Sequence, residues 1–239
     1  MSIADKIKKV VERTKPGVVI TPADFSIPVA QQPSLIVALN RLVAAGVLKR
    51  LSKGKYFKQM NSIFGALPPE TSEIVKDFIV KENKVIGYIT GTNAFSELGL
   101  TTQISGAILI GTNTYRRPML RGNNKIAFVL QPNPICEEDI PLYVILDALL
   151  FVKRIPATTP SEAVEILIPI IKRLPKQKQK RLQELAMAYT PYVRALLGAI
   201  YEQSSLPCKK LKDSLNGTSY YRLPIDNDVL PTKTNWRII

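Results

Sequence analysis

The chain contains no histidine and only two cysteines, Cys136 and Cys208, which do not stand in a paired spacing. The absence of histidine excludes Ser-His-Asp and Cys-His catalysis. The separated cysteines form no cluster of the zinc or iron–sulfur kind, so we expect neither a metal nor a cofactor. Chemistry based on carboxylate, lysine or tyrosine side chains stays open, but the sequence as a whole predicts a protein that is not an enzyme.

Long apolar runs are also missing from the sequence. No segment approaches the roughly 18 apolar residues that indicate a membrane-spanning helix. The first residues, MSIADKIKKVVERT, are too charged and too soon interrupted to be a secretory signal peptide. We therefore expect a cytoplasmic protein that has no membrane partner and keeps both cysteines reduced.

The charge of the chain is predominantly positive and unevenly distributed. The sequence has 33 Lys and Arg against 19 Asp and Glu, a formal net charge of +14. Residues 1–60 hold 11 basic and 3 acidic residues, whereas residues 61–239 hold 22 and 16. An excess of this size favours polyanionic partners such as nucleic acid. The N-terminal quarter is thus the expected nucleic-acid-binding part.

The most informative stretch runs from Pro33 to Phe57, PSLIVALNRLVAAGVLKRLSKGKYF. Pro33 suits the first turn of a helix and Gly46 suits the position just after its end. Leucines and alanine recur at three- and four-residue spacing and define one buried stripe. After Gly46, two short strand-like runs flank a turn at Lys53-Gly54. A helix followed by a basic hairpin is typical of a winged helix-turn-helix, whose helix lies in the DNA major groove.

The preceding residues complete the winged-helix pattern. An amphipathic helix ends at Lys15-Pro16-Gly17, a short strand covers Val18–Ile20, and Thr21-Pro22 begins a second helix. The sequence therefore predicts a winged helix-turn-helix domain over residues 1–58. Residues 59–70 have no hydrophobic period and are interpreted as a linker.

Eight residues are candidates for contact with DNA: Ser34, Val37, Asn40, Arg41, Lys49, Arg50, Lys53 and Lys55. The first four would face the major groove, where Asn suits paired hydrogen bonds to adenine and Arg to guanine. Val37 either touches a thymine methyl group or is half-buried. The four cations belong to the hairpin and would meet phosphates or reach the minor groove, which adds salt-dependent affinity with little specificity.

Residues 71–239 are expected to form a larger mixed α/β domain that ends in a helical bundle, so that the fold class is α+β. A helix is predicted from Thr71 to Glu82, followed by a region of strands. From about residue 141 to residue 200 the pattern is helical, with helices over 141–153, 159–174 and 175–200. The final forty residues are expected to form short strands and turns.

Two clusters in this larger domain leave alternatives open. Glu137, Glu138 and Asp139 could hold magnesium, but no glycine-rich phosphate loop accompanies them, and a solvated loop before a helix is the favoured interpretation. Near the C-terminus, Tyr220, Tyr221 and Arg222 interleave aromatic and basic residues, as surfaces that stack single-stranded nucleic acid do. A C-terminal tail packed on its own domain is favoured there.

Several stretches together resemble a known family. They are IADKIKKVVERTKPGVVITPADF, ALNRLVAAGVLKRLSKGKYF, GYITGTNAFSELGLTTQI, DALLFVKRIPATTPSEA and PYVRALLGAIYE, which lie within residues 1–200. In these segments the chain resembles the AbiEi-like antitoxins of type IV toxin–antitoxin systems, in the branch common among Bacteroides-type bacteria. The stretch from about Cys208 to Ile239 carries no such resemblance.

The resemblance implies a transcriptional repressor that binds operator DNA at its own promoter through the winged helix. It also implies a C-terminal domain that counteracts a co-encoded toxin similar to a nucleotidyltransferase, in the context of abortive infection. A winged helix that reads an inverted repeat needs two copies, so we expect a homodimer on DNA. The alternative is a protein–protein interaction module in which residues 71–200 bind the toxin directly and the winged helix is structural or only nonspecifically DNA-binding.

Overall fold

Residues 3–63 and 65–239 are described by the computed structural model. Their elements form a mixed α+β fold in two units. The first unit comprises the residues up to Asp77 together with Met119–Lys125. The second comprises Phe78–Pro118 and Ile126–Ile239. The predicted α+β class is therefore confirmed. Among the described residues, each helix is too short or too polar to span a lipid bilayer.

The first unit begins with helices and a small sheet in alternation. Its elements are helix α1 (Ile3–Arg13), strand β1 (Val19–Ile20), 3-10 helices at Pro22–Phe25 and Val29–Gln31, helix α2 (Gln32–Ala44), and strands β2 (Lys49–Ser52) and β3 (Lys55–Phe57). The three strands form an antiparallel sheet in the order β1-β3-β2. Thr21 begins the first 3-10 helix, and its amide donates to Asp24 Oδ2 at 2.6 Å. The predicted second helix is thus a single tight turn of 3-10 type.

A common core holds these elements together. Its buried side chains come from α1, β1, the first 3-10 helix, α2, β3 and the residue just before β2. They are Ile7, Val11, Ile20, Phe25, Leu35, Leu39, Leu48 and Tyr56. Burial of such apolar side chains stabilises a fold by about 1.5–3 kcal/mol each. The predicted leucine stripe of α2 therefore faces this core.

The segment predicted to be a linker contains regular structure. Strands β4 (Met60–Ser62) and β5 (Gly65–Leu67) pair as an antiparallel hairpin. Helix α3 (Thr71–Ile79) follows, and its Glu73 Oε2 accepts a hydrogen bond from the Val19 amide of β1 at 3.0 Å. The first unit thus extends beyond the predicted boundary at residue 58.

Helix α3 ends three residues before the predicted end at Glu82. Strands β6 (Val80–Lys81) and β7 (Lys84–Val85) pair directly after it. Glu82 and Asn83 connect them at φ 50° and 59°, in the left-handed region that tight hairpin turns require. The turn therefore takes the place of the predicted last helical residues.

The second unit contains an antiparallel sheet beside its helices. Strand β8 (Gly87–Thr90) leads to helix α4 (Thr92–Glu97), and strand β9 (Ala107–Thr112) pairs with β8. Strand β10 (Met119–Arg121) and the start of strand β11 (Asn124–Leu130) form the hairpin that belongs to the first unit. The remainder of β11 lies in the second unit, where it neighbours β9.

Helices dominate the chain after β11. They are α5 (Ile140–Leu150), α6 (Pro160–Lys172), α7 (Lys176–Ala186), α8 (Pro191–Gln203) and α9 (Lys209–Asp213), followed by a 3-10 helix at Pro231–Trp236. The single helix predicted over 175–200 is wrong, because the chain leaves helical structure after α7 and Pro191 begins a new helix. The predicted short strands near the C-terminus are also wrong. The structure has α9 and the 3-10 helix there, with one isolated bridge between Tyr221 and Ile238.

The C-terminal residues pack on α8. Trp236 is 2% exposed, and its indole lies against Gly198. The indole Nε1 donates to Glu202 Oε2, and the Thr232 hydroxyl donates to the Ala199 carbonyl at 2.7 Å. The C-terminal tail therefore completes the core of the second unit.

Candidate nucleic-acid interface

The exposed face of α2 carries the four residues predicted to enter the major groove. Ser34, Val37, Asn40 and Arg41 are all exposed, with Val37 at 51%. Leu35 and Leu39 on the opposite side are fully buried. The three- and four-residue spacing of a helix produces this division, because side chains at i, i+3 and i+7 lie on one face. Val37 is thus an exposed apolar side chain beside polar neighbours.

Asn40 is linked to the hairpin by a hydrogen bond. The buried Tyr56 hydroxyl donates to Asn40 Oδ1 at 3.3 Å. Tyr56 itself is 1% exposed, as expected for a residue that packs the hairpin onto the core. The amide oxygen of Asn40 keeps a second lone pair and its NH₂ group remains a donor. Both atoms that an adenine contact needs are therefore present.

Three cations of the β2–β3 hairpin are exposed to solvent: Lys49, Arg50 and Lys53. Gly54 forms the turn at φ 71°, where residues with a side chain are strained. Arg50 Nε donates to the Ser52 carbonyl at 3.4 Å, across the irregular register between these two residues. The tip of the hairpin therefore presents positive charge.

Lys55 differs from the other hairpin cations. Its side chain is 17% exposed, and its Nζ lies 3.1 Å from Asp77 Oδ2. Asp77 also binds Arg121, whose two terminal nitrogens donate to the carboxylate at 2.6 and 3.0 Å. Burial raises the pKa of Asp77, but the hydrogen bonds and charge of Arg121, together with Lys55, outweigh it and hold that pKa below its usual value. Lys55 is therefore ion-paired within the protein, whereas the sequence predicted that it meets phosphates or reaches the minor groove.

Arg121 anchors the hairpin of β10 and the start of β11, which is distant in sequence from the rest of the first unit. It is 3% exposed, and its Nη1 also donates to the Ile74 carbonyl of α3 at 2.5 Å. A two-pronged guanidinium–carboxylate pair fixes geometry as well as charge. The pair with Asp77 thus ties Met119–Lys125 to α3, a link between residues far apart in sequence that local patterns do not reveal.

The acidic cluster at residues 137–139 is tied to a helix. Asp139 is 5% exposed, and its Oδ2 accepts from Arg181 Nε and Nη2 at 2.9 and 2.7 Å. Lys178 Nζ donates to the Glu138 carbonyl at 2.7 Å. Within the described residues, no group of three His, Cys, Asp or Glu side chains is placed to hold a metal ion. Asp139, the most buried carboxylate of this cluster, thus already has a cationic partner.

The second unit contains a buried polar network that sequence analysis did not anticipate. Asp147 of α5 is 2% exposed and accepts from Tyr88 at 2.7 Å, Thr90 at 2.8 Å and Tyr189 at 2.9 Å. Gln131 Nε2 donates to both tyrosine hydroxyls at 2.7 Å. Burial raises the pKa of Asp147 to about 6, although the three hydrogen bonds oppose the shift. Burial likewise raises the pKa of Tyr88 and of Tyr189.

The fold and its exposed basic face define an α+β protein with a candidate nucleic-acid-binding surface in its first unit. The chain belongs to a family of unknown function, DUF6088, whose model matches residues 4–188. It is also similar to a solved structure, the Rv2827c protein from Mycobacterium tuberculosis. The identity is 14%, the similarity covers 92% of this chain and 83% of that chain, and the TM-score is 0.46. No curated protein matches the chain.

Proposed function

We propose that the chain is a sequence-specific double-stranded DNA-binding protein and that its N-terminal residues form a winged helix-turn-helix. The order α1, β1, 3-10 helices, α2, β2, β3 and the sheet order β1-β3-β2 support this assignment. In it, α2 is the recognition helix and the β2–β3 hairpin is the wing. The helix lies in the major groove and the wing touches the backbone or the minor groove.

One observation carries the proposal. The face of α2 that is not needed for the core is exposed and holds hydrogen-bonding and cationic side chains, and the neighbouring hairpin adds three exposed cations. Arg41 pairs with guanine, Asn40 with adenine, and Val37 contacts a thymine methyl group. Ser34 supplies a further hydrogen bond in the groove. In this arrangement the helix reads the base sequence, and the wing adds affinity through its charge.

Seven of the eight predicted residues form the proposed contact set. Lys49, Arg50 and Lys53 neutralise phosphates. Lys55 is left out, because its Nζ is paired with Asp77 and its side chain is mostly buried. Its pairing holds strand β3 in place beside the wing tip instead. Two protomers bind an inverted repeat, with one recognition helix in each half-site.

Arg41→Ala is expected to weaken binding to the chain's own upstream DNA roughly 10- to 100-fold, because a paired Arg–guanine contact contributes about 1–3 kcal/mol. Binding to scrambled DNA of equal length should change little, so that the preference collapses. Fluorescence anisotropy with both fragments at two salt concentrations measures the effect. Arg13→Ala, which removes an exposed arginine from α1, is the matched control. Unchanged affinity and preference in Arg41→Ala would overturn the groove assignment.

The wing is tested by a different signature. Lys53→Ala should weaken binding to both fragments equally and reduce the dependence of log affinity on log salt by about 1, since one phosphate contact is lost. A variant that instead altered only the preference for the upstream fragment would contradict the wing assignment.

We further propose, on the resemblance to AbiEi-like antitoxins, that this DNA binding represses the chain's own operon in the cytoplasm. The protein then acts as the antitoxin to a co-encoded nucleotidyltransferase-like toxin, and the second unit counteracts the toxin without itself being an enzyme. That unit has an extensive core of its own, which supports a role beyond holding DNA. Direct binding of the toxin by this unit is the competing function.

Full-length protein carrying both Arg41→Ala and Lys53→Ala separates repression of the operon from neutralisation of the toxin. Truncation is unsuitable because the first unit includes Met119–Lys125. Protection from the toxin gene by the double variant, with operator binding lost, would support neutralisation through the second unit. Loss of protection, with toxin expressed from an unrelated promoter and antitoxin levels unchanged, would count against it.

A further inference from the structure

A groove in the second unit brings basic and aromatic side chains together. Its volume is about 390 Å³. The end of α5 and the following turn supply Lys153 and Arg154, the start of α8 supplies Tyr192, and the C-terminal segment supplies Tyr220, Tyr221 and Arg222. Leu150 and Leu223 complete the lining. Segments about seventy residues apart in sequence thus meet at one surface depression.

The charge of the groove is entirely positive. Lys153, Arg154 and Arg222 are exposed, and no acidic residue is among those that line the groove. Within the described residues, none of the three forms an ion pair with a carboxylate. The Arg154 guanidinium lies 4.9 Å from the centre of the Phe151 ring, which holds this arginine in a defined place. Three cations without a compensating anion favour a ligand that carries phosphate.

An aromatic platform lies beside these cations. Tyr220 is 63% exposed, although it is a large aromatic side chain. The Arg237 guanidinium lies 5.4 Å from the centre of its ring, so one face of Tyr220 is supported by a cation. Tyr221 is held by backbone hydrogen bonds, because its amide donates to the Arg237 carbonyl at 2.9 Å and its carbonyl accepts from the Ile239 amide at 2.9 Å. The tyrosines therefore stand on an ordered backbone.

We propose that this groove binds a nucleotide, with the phosphate on Lys153, Arg154 and Arg222 and the base stacked on Tyr220. The volume is near the lower end of the range for ligand sites, about 300–1,000 Å³, and therefore suits one nucleotide unit. Stacking on an aromatic side chain accepts any base, since every base has a π face. The site is separate from the α2 surface and goes beyond the DNA-binding function proposed above. Its occupant is a free nucleotide or one nucleotide of a single strand, which share this chemistry.

The test uses full-length protein with Arg41→Ala and Lys53→Ala as background, so that the proposed DNA-binding surface of α2 and the β2–β3 hairpin contributes little to the measured binding. ATP and a short labelled oligothymidylate are the two probes, followed by equilibrium dialysis and fluorescence anisotropy. Tyr220→Ala should weaken binding about tenfold, in line with the loss of one stacked base. Tyr115→Ala is the matched control, because Tyr115 is an 82% exposed tyrosine of the same unit that does not line the groove.

The phosphate contacts are tested in the same way. Lys153→Gln should weaken binding severalfold and reduce its salt dependence, whereas Lys172→Gln, at an exposed lysine of α6 outside the groove, should not. Saturable binding of ATP that displaces the oligothymidylate would support a free nucleotide as occupant. Binding of the oligothymidylate alone, sensitive to Tyr220→Ala, would support a single strand. The proposal is overturned if neither probe binds saturably, or if the groove variants and their controls behave alike.

Discussion

Ionisation of one carboxyl group, that of Asp147, is expected to cost the second unit roughly 2 kcal/mol of stability as the pH rises from 4 to 7. Burial raises the pKa of Asp147 to about 6 in the folded protein, against 3.8 for the ordinary carboxyl. Each unit of pKa difference corresponds to about 1.4 kcal/mol. The folded state binds this proton more tightly than the unfolded state. The stabilisation is therefore complete below pH 3.8 and is lost as the pH rises through the folded pKa.

Asp147→Asn isolates this effect from all other titrations. The amide cannot ionise, while its oxygen still accepts hydroxyl donors and its NH₂ can donate to a tyrosine hydroxyl oxygen. We expect the difference in stability between the wild type and the variant to change by roughly 2 kcal/mol across this pH range, in favour of the variant at neutral pH. Every other carboxylate titrates in both proteins and cancels.

Urea denaturation at a series of pH values measures the difference. Trp236 is the one tryptophan of the sequence and is buried in the second unit, so its fluorescence reports on the unit that contains Asp147. A difference curve that stays flat between pH 4 and pH 7 would mean that Asp147 keeps the same proton affinity in both states.

Gly198→Ala is expected to destabilise the second unit by about 2 kcal/mol, although alanine normally favours a helix over glycine by roughly 0.5–1 kcal/mol. A Cβ atom at position 198 of α8 would stand 2.1 Å from Trp236 Cζ3. The indole is a rigid ring, is 2% exposed and is hydrogen-bonded to Glu202. It can make room only if the C-terminal segment shifts, so the steric cost outweighs the gain in helix propensity.

Thermal unfolding followed by Trp236 fluorescence tests this expectation. A loss of this size corresponds to a fall in Tm of about 4–8 °C for a chain of this length. Gly217→Ala is the matched control, because no atom lies within 4 Å of the Cβ that it would add. Equal Tm values for the wild type and Gly198→Ala would contradict the expectation, because they would show that the indole makes room for the added Cβ without a loss of stability.

The helix and hairpin of Pro33–Phe57 could be predicted because their signals are local. Gly46 and Gly54 have φ values of 73° and 71°. Gly46 follows the end of α2, and Gly54 lies in the turn between β2 and β3. The leucine spacing of α2 matches its buried face. The exposure of the candidate groove residues follows from the same period.

Two other segments were predicted less well for reasons that are equally physical. All three residues of β5 are exposed. The hairpin at 60–67 therefore lacks the alternation of apolar and polar residues by which a half-buried strand is recognised in a sequence. The break between α7 and α8 is signalled by Pro191, whose ring disfavours helical geometry in the preceding residue. Apolar residues continue at helical spacing on both sides of Pro191, and this period concealed the signal.

The remaining features depend on partners that are distant in sequence. Asp77 meets Arg121 across more than forty residues, and Lys55 is engaged because its Nζ pairs with the same carboxylate of α3. Single hydrogen bonds in the Asp147 network join residues separated by as many as 59 positions. Neither has a sequence period or a short motif, because side chains that meet through tertiary folding leave no mark on the spacing of their neighbours.

The first unit is assembled from two separate stretches of chain, and this has a consequence for its synthesis. On the ribosome, residues up to Asp77 emerge before Met119–Lys125 exists, so Arg121 cannot yet neutralise Asp77. At about 5–20 residues per second, the wait for Arg121 lasts roughly 2–10 s. During that time the nascent first unit lacks one of its anchoring ion pairs. It reaches its final form only after the β8–β9 region of the second unit has been made.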